Sequence, residues 1–254
     1  MEDQERVRFA NNPLQTVVWQ LRFPPVWAVD EPAFAARLQK ALGDEYPRAE
    51  PRAGQINIQV GEGVAAGPGE PAPWIFRDDT GEWVVAVQRG FLSLETTNYT
   101  RFEDLEGRLT RLLVAAEDEL GLRYVSRLGL RYVDRIRHEE LQSPADSTRF
   151  LNPELLGLVA GREIAPYVLD AMQQIRLALA PGQLIVRHGY LGEVDPEGPF
   201  YLIDIDAFNA EEQPYDRHGC LDATRAFKRH CWNFFRQSIS EELAVYLEPR
   251  SLDD

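Results

Sequence analysis

The sequence predicts an α+β fold, a twisted antiparallel sheet or sheets with long helices packed on one side. The clearest signal is the stretch Phe91–Gly121, where alternating apolar and polar residues are followed by apolar residues at helical spacing. Just before it, the β-prone runs Trp74–Arg77 and Trp83–Gln88 flank a short polar turn and predict a hairpin. Strands followed by one long helix recur in residues 167–254. Strands grouped ahead of helices are typical of this fold class.

The helix within Phe91–Gly121 has predicted boundaries at both ends. Thr100 is a suitable N-cap residue and Glu103 follows three positions later, a capping-box spacing that stabilises a helix start by about 1 kcal/mol. Gly121 is a typical C-terminal stop. The apolar positions in between predict one buried face, made of Phe102, Leu105, Leu109, Leu112, Leu113, Ala116 and Leu120.

The chain before the hairpin is predicted to form a strand, a helix and a second strand. Residues 1–12 are polar and are expected to fray. Leu14–Phe23 alternates as a strand does, and Asp30 is predicted to cap the helix that follows. Gln55–Val60 predicts a short strand that leads into the glycine-rich run Gly61–Pro73. Because no helix opens after these glycines, we interpret the run as a surface loop and not as a phosphate-binding loop.

The segment Leu122–Arg137 carries an unusual number of arginines. As a strand it would have one arginine face and one apolar face, because its odd and even positions differ in this way. The arginines are also four residues apart, as on a helix, but Gly121 and Gly129 would interrupt a helix. We therefore predict a strand, with an arginine face made of Arg123, Arg127, Arg131, Arg135 and Arg137.

The rest of the chain is predicted to be a connection followed by strands and a helix. Residues 138–166 contain several prolines and small polar residues, as a connection does. Val168–Ala180 and Gln183–Leu191 are predicted to form a hairpin, and Phe200–Phe208 is a third predicted strand. Cys220–Leu247 is predicted to be one long helix.

The predicted organisation is an N-terminal α+β half (1–137), a connection (138–166) and a C-terminal α+β half (167–254), as separate units or as one continuous domain. In both halves an aromatic-Leu strand leads through a tyrosine-containing loop into a long helix. An internal duplication would explain this similarity, and so would the general form of a strand-to-helix unit.

The composition of the chain indicates which partners and which cellular location to expect. The net charge of −14 repels phosphate backbones and disfavours a nucleic-acid partner. No window approaches the ~20 apolar residues of a membrane helix, and the N-terminus is unlike a signal peptide, so a cytoplasmic location is predicted. Cys220 and Cys231 fall in one predicted helix and are expected to be free thiols. An open sheet edge would allow a homodimer.

The arginine face is the first candidate ligand-binding surface. Guanidinium groups such as those of Arg127 and Arg131 bind multiply anionic molecules, including nucleotides, through bidentate hydrogen bonds. The alternative is that these arginines pair with carboxylates on neighbouring strands or cover apolar surface with their stems.

Asp204 and Asp206 are the second candidate. Strand alternation places both carboxylates on one face, roughly 7 Å apart. Two acids at that spacing can share a Mg²⁺ ion or act as an acid/base pair, and they can equally form salt bridges with the arginine face. His188 lies on a predicted strand and can titrate near neutral pH, which makes it a further ligand-binding candidate.

The histidine and cysteine cluster near the C-terminus is the third candidate. Its members are His218, Cys220, His230 and Cys231, and it contains no CxxC or HxxxH pair. We therefore predict no metal site there. The chain also lacks a local catalytic signature such as GxSxG, and we predict no catalytic residue and no cofactor.

Four short motifs together resemble one protein family. They are Phe-Pro-Pro-Val at Phe23–Val26, Tyr-Pro at Tyr46-Pro47, Leu-Arg-Tyr at Leu130–Tyr132 and Asp-Ile-Asp at Asp204–Asp206. The chain is similar over nearly its whole length to a sporadically distributed bacterial family of about this size, whose members have no assigned activity. The patchy distribution implies an accessory role in a defence or partner-encoding locus. It implies no reaction and identifies no site residues.

Two functions remain as hypotheses from the sequence. The first is a non-enzymatic binding or interaction protein that engages a partner chain or an anionic small molecule. The alternative is a Mg²⁺-dependent phosphoryl- or nucleotide-handling enzyme, in which Asp204 and Asp206 hold the cation and Arg127 and Arg131 hold phosphates. We favour the first hypothesis, because each part of the second has a commoner structural explanation.

Overall fold

A computed structural model describes residues 3–50, 71–161, 163–192 and 195–251. The predicted strand Gln55–Val60 and most of the predicted loop Gly61–Pro73 lie outside these residues. The described residues combine helices with a large antiparallel sheet, so the α+β prediction is confirmed. None of the described helices has both the length and the apolar character needed to cross a membrane.

The described residues form six α-helices and thirteen strands. The helices are α1 Pro32–Leu42, α2 Phe102–Leu120, α3 Ser147–Phe150, α4 Pro153–Leu156, α5 Arg217–Ser238 and α6 Glu241–Tyr246. The strands are β1 Arg8–Phe9, β2 Leu14–Arg22, β3 Arg48–Glu50, β4 Trp74–Arg77, β5 Trp83–Gln88, β6 Phe91–Thr96, β7 Tyr124–Val125, β8 Arg127–Ile136, β9 Asp170–Ala178, β10 Gln183–Leu191, β11 Phe200–Asn209, β12 Gln213–Pro214 and β13 Pro249–Arg250.

Nine of these strands form the large sheet. Their order is β3-β4-β5-β6-β2-β8-β11-β10-β9. The predicted hairpin of β4 and β5 is confirmed with the predicted bounds, and β6 pairs next to it in antiparallel register. The arginine segment Leu122–Arg137 does contain a strand, β8, but it is shorter than predicted, because Tyr124 and Val125 form β7 and pair with β12 in a separate sheet. The hairpin of β9 and β10 is confirmed too, with a register that runs unbroken from Gln183 opposite Ala178 to Leu191 opposite Asp170.

The chain divides into two compact units, each built from separate parts of the sequence. Unit 1 contains residues 1–16, 131–208 and 225–254, and unit 2 contains residues 17–130 and 209–224. Each has its own buried apolar side chains. In unit 1 these include Phe150, Val186, Ile203, Phe227 and Leu243, and in unit 2 Trp19, Phe34, Phe76, Leu94 and Leu105. An origin by internal duplication stays a prediction.

Several helix boundaries differ from the predicted ones. Helix α2 has Arg101 and not Thr100 at its N-cap, and Thr100 instead donates a hydrogen bond from its hydroxyl to the Asp104 carboxylate at 2.8 Å. Gly121 does end this helix, in the left-handed conformation that favours glycine. The predicted helix Cys220–Leu247 is two helices, because Ser240 caps a new one by accepting a hydrogen bond from the Leu243 N–H.

The two chain ends are more ordered than their polar composition predicts. Arg8 and Phe9 of β1 pair antiparallel with Arg250 and Pro249 of β13. The ring of Phe9 also lies 5.9 Å from the ring of Trp232, centroid to centroid. Both ends are therefore held by pairing with a segment that is distant in sequence. The local composition of a segment does not indicate such pairing.

The close approach of β9 to β10 depends on Gly189. A Cβ atom at this position would lie 1.7 Å from the carbonyl oxygen of Ala171 on β9, so a side chain would force the strands apart. We expect Gly189→Ala to lower the free energy of unfolding by about 3 kcal/mol, the upper end of the usual cost of overpacking. Urea denaturation would measure the change. Gly90→Ala is the control, because its Cβ would meet nothing nearer than 3.6 Å and should change stability by less than about 1 kcal/mol.

Candidate functional site

The structure brings two of the predicted site residues, Arg131 of β8 and Asp204 of β11, into direct contact. The Arg131 Nε and Nη2 atoms donate to the two carboxylate oxygens of Asp204 at 2.5 and 2.7 Å. Both side chains are largely buried, with exposed fractions of 13% and 4%. Arg187 lies opposite Asp204 on β10, with its Nη1 atom 3.6 Å from the carboxylate. Asp204 is therefore the centre of a buried cluster with two guanidinium groups.

The other predicted residues of unit 1, Asp206 and His188, lie on opposite faces of the sheet. Asp206 follows Asp204 by two positions, so alternation places it on the same face, where it is half-buried. His188 is opposite Ile203 in the β10–β11 register and therefore lies on the other face. Its Nδ1 atom is 2.8 Å from the Tyr201 hydroxyl, and burial lowers the pKa of His188. His188 is thus held as a neutral, hydrogen-bonded core residue.

Arg127 belongs to unit 2 and has different neighbours. Its Nη1 atom donates to the Gln20 side-chain oxygen at 3.4 Å, and the same oxygen accepts from Arg22 Nε at 2.9 Å. A Cβ atom at Gly129 would lie 2.6 Å from Arg127 Nη1, so the guanidinium group folds back over this glycine. Arg127 thus contacts Gln20 of unit 2, whereas Arg131 pairs with Asp204 of unit 1.

The remaining arginines of β8 and its C-terminal end also pair with carboxylates or with aromatic rings. Arg135 and Arg137 contact Asp195 at 2.8 and 3.0 Å, and both guanidinium groups lie about 5 Å from the ring of Phe200. Pairing with carboxylates on neighbouring strands was one of the two alternatives that the sequence left open, and it describes Arg131, which pairs with Asp204 on β11. Arg135 and Arg137 pair instead with Asp195, which precedes β11.

Sequence reasoning missed Asp134, an acid on the otherwise apolar face of β8. Asp134 is buried, and burial followed by the negative charge of Asp204 raises its pKa to about 8. Asp134 is therefore protonated at neutral pH. The signal that could have found it was its even position in the Leu122–Arg137 alternation, between the apolar neighbours Tyr132 and Ile136.

The cysteines and the remaining histidines form no chemical site among the described residues. Cys220 and Cys231 are both buried and are not joined in a disulfide. Burial raises the pKa of Cys220 to about 11 and the pKa of Cys231 well above its ordinary value, so both remain thiols. His230 lies 2.8 Å from the Ala180 carbonyl oxygen. Within residues 3–50, 71–161, 163–192 and 195–251, no group of three or more acids, histidines or cysteines is placed to hold a metal ion.

A second candidate surface is the outer edge of β9, at the end of the strand order. Its only strand neighbour in the described sheet is β10. None of the nine residues of β9 is buried, whereas most of β10 is. An edge strand leaves a row of backbone N–H and C=O groups without sheet partners, which is a template for another strand.

Apolar side chains are exposed along this edge and just before it. Met172 and Ile175 on β9 are 49% and 36% exposed, and Leu169 and Tyr167 before it are 75% and 84% exposed. Single exposed apolar residues are ordinary on protein surfaces, but several close together on an unpaired edge mark an interaction site. The sequence predicted β9 as a strand, but its alternation resembles that of a half-buried strand and did not reveal the exposure.

The charges of β9 are placed at its two ends. Asp170 accepts a hydrogen bond from the Gly192 N–H at 3.0 Å. Arg176 is exposed and makes no ion pair with any described residue. Between them, Gln173 donates from its side-chain nitrogen to the Leu155 and Leu156 carbonyls at 3.3 and 3.4 Å, which fixes the middle of the strand against the neighbouring turn.

Comparison with known proteins found no matching family model and no matching curated protein. Among solved structures, the chain matches Csf5, a type IV CRISPR-Cas Cas6 crRNA endonuclease, at 11% sequence identity and a TM-score of 0.21. The match covers 78% of this chain and 91% of that protein. A TM-score this low carries no argument about fold or function.

The buried pair of Arg131 and Asp204 predicts a large stability effect. Arg131→Met leaves the Asp204 carboxylate buried without its bidentate partner, and such losses cost about 3–5 kcal/mol. Arg187 offsets part of this cost, so we expect about 3 kcal/mol in urea denaturation. Arg135→Met is the control, because its pair with Asp195 leaves Arg135 42% exposed and exposed pairs contribute about 0–1 kcal/mol. Equal effects of the two substitutions would contradict a structural role for the pair.

The raised pKa of Asp134 predicts how stability varies with pH. The folded protein keeps this proton up to about pH 8, whereas an unfolded aspartate releases it near about pH 4. Unfolding therefore releases a proton between these values, and the contribution of Asp134 to the free energy of unfolding falls as the pH rises through them. We expect Asp134→Asn to flatten the decline measured by urea denaturation between about pH 5 and pH 8.

The control for this titration is Asp195→Asn. The backbone N–H of Glu197 and the nearby arginines lower the pKa of Asp195, so this group is fully ionised in both states over that range. Its substitution should leave the slope unchanged. Parallel profiles for the wild type and Asp134→Asn would show that Asp134 does not titrate in this window.

Proposed function

We propose that this protein is a non-enzymatic interaction protein that binds a partner chain by strand addition to β9. The observation that carries the proposal is a nine-residue edge strand with no buried residue. In strand addition, backbone hydrogen bonds supply affinity and alternate side chains supply specificity.

The edge of β9 lacks several of the features by which proteins usually protect an exposed strand. Such protection comes from proline, lysine, a bulge or a very short strand. The sequence of β9 is DAMQQIRLA, which contains neither proline nor lysine, and its pairing with β10 has no bulge. A long, regular and partly apolar edge is expected to be covered in the working state of the protein.

The Mg²⁺-dependent alternative has less support. It needs the Asp204 carboxylate for a cation and the Arg131 guanidinium for phosphate, but each already satisfies the other at 2.5 and 2.7 Å. Asp204 is also almost fully buried. A ligand at this position would have to break a bidentate ion pair inside the sheet, which costs several kcal/mol.

The proposal predicts a polypeptide next to β9 in the cell. A photoreactive amino acid at position 172, where the side chain is 49% exposed, should crosslink to a protein chain when the full chain is expressed in its natural host. Mass spectrometry would identify the crosslinked chain.

The control for this crosslink is position 245 on α6. Val245 is 72% exposed in the same unit but lies on a helix, which has no unpaired strand edge. Equal crosslinking from the two positions would contradict strand addition. Catalytic turnover by the purified protein would contradict the non-enzymatic role.

A further inference from the structure

We infer that the strand added to β9 is β9 of a second copy of this chain. The two strands are antiparallel, and the two-fold axis that relates them passes between the two copies of Gln173. The inference rests on the proposed function, since it names the partner for the same edge. It follows from how the residues of β9 would face one another across such an axis.

The geometry of a sheet allows only a few registers for this contact. A two-fold axis perpendicular to the sheet keeps each face of the sheet on its own side. Residues that lie directly opposite each other point to the same face, so opposite positions must both be even or both be odd. One residue must then lie directly opposite its own copy, with the axis midway between the two. For a strand that spans Asp170–Ala178, centres at Gln173, Gln174 and Ile175 allow at least seven of its nine residues to pair.

Only the register centred on Gln173 matches opposite charges. It places Asp170 opposite Arg176 of the second copy, and by symmetry this pair occurs twice. A centre at Gln174 would place Asp170 opposite Ala178, and a centre at Ile175 would place Arg176 opposite Gln174 and leave Asp170 outside the paired residues. Opposite charges that face each other across antiparallel strands stabilise the pairing.

The same register also matches the apolar residues. It places Leu169 opposite Leu177 and Ala171 opposite Ile175, so apolar side chains meet on one face of the joined strands. Leu169 is 75% exposed in the single chain, and Ile175 is exposed as well. Covering these side chains removes apolar surface from water, which favours association. Charge, apolar character and symmetry therefore agree on one arrangement.

The hydrogen bonds and ion pairs of the charged residues leave room for this arrangement. Arg176 is exposed and makes no ion pair within the described chain, so its guanidinium group can reach a second copy. Asp170 uses one carboxylate oxygen for the Gly192 N–H, which leaves the other for a cross-strand contact. The side chain of Gln173 on the axis is already held by the Leu155 and Leu156 carbonyls and lies clear of the charged pairs.

The test is charge reversal, measured as the dimer dissociation constant by analytical ultracentrifugation of the full chain. We expect a dimer for the wild type. Asp170→Arg and Arg176→Asp should each weaken it by about tenfold or more, because each turns two opposite-charge pairs into like-charge pairs. The double variant Asp170→Arg/Arg176→Asp should restore the dimer, since it exchanges the charges and keeps the pairs.

Mixing the two single variants gives a second readout that folding defects do not imitate. In a mixed dimer, positions 170 and 176 are both arginine in one chain and both aspartate in the other, so every cross-strand pair again joins opposite charges. The mixture should therefore form a heterodimer where neither variant forms a homodimer. Circular dichroism and thermal unfolding would check that each variant is folded. A folded pair that fails to combine, or a wild-type dimer that neither substitution weakens, would overturn the inference.

The crosslinking experiment separates this inference from the proposed function. A crosslink from position 172 to the chain itself supports both. A crosslink to a different protein, together with a monomeric wild type, would overturn the self-association and leave strand addition as the function. A monomer without any crosslink from position 172 would overturn both.

Discussion

An edge strand can satisfy only half of its backbone hydrogen bonds within its own sheet, and this constraint governs the most informative part of the molecule. Within a sheet, each strand between two others has partners for its N–H and C=O groups on both sides. At the end of the order, β9 has a strand partner, β10, on one side and no described strand on the other. All nine of its residues are exposed or half-exposed. A short strand and charged side chains are common forms of edge protection, whereas β9 has nine residues of which two, Asp170 and Arg176, are charged.

Charge burial is the second physical constraint on this chain. With a net charge of −14, arginines have abundant carboxylate partners, and the arginines of β8 use them. The pair of Arg131 and Asp204 is inside the sheet, where a bidentate contact offsets the cost of removing two charges from water. Asp134 is protonated instead, since a neutral acid costs less to bury than a charged one. Arg131 and Asp204 thus satisfy each other in a buried ion pair, and the edge of β9 is the stronger candidate for function.

The sequence predicted elements well where the signal is local. The hairpin of β4 and β5, the strand β8, the helix α2 and its glycine stop all follow from alternation, helical spacing or a single turn residue. Predictions that depend on distant contacts were less accurate. The break between α5 and α6 occurs where Ile239 bridges to Leu151, and the two chain ends pair with each other. Neither contact is visible in the residues near it in sequence, so the sequence predicts one continuous helix over Cys220–Leu247 and frayed residues 1–12.

The sequence by itself determined the fold class, the order of most strands and helices, and which residues share a face of each strand. It did so because the side-chain periods of strands and helices can be recognised from residues that are close together in sequence. Only the tertiary structure decided which strand lies at the edge, that Asp204 pairs with Arg131, and that Asp134 is buried near Asp204. Those facts depend on the order of strands in the sheet, and alternation along one strand is the same whether that strand is central or at the edge.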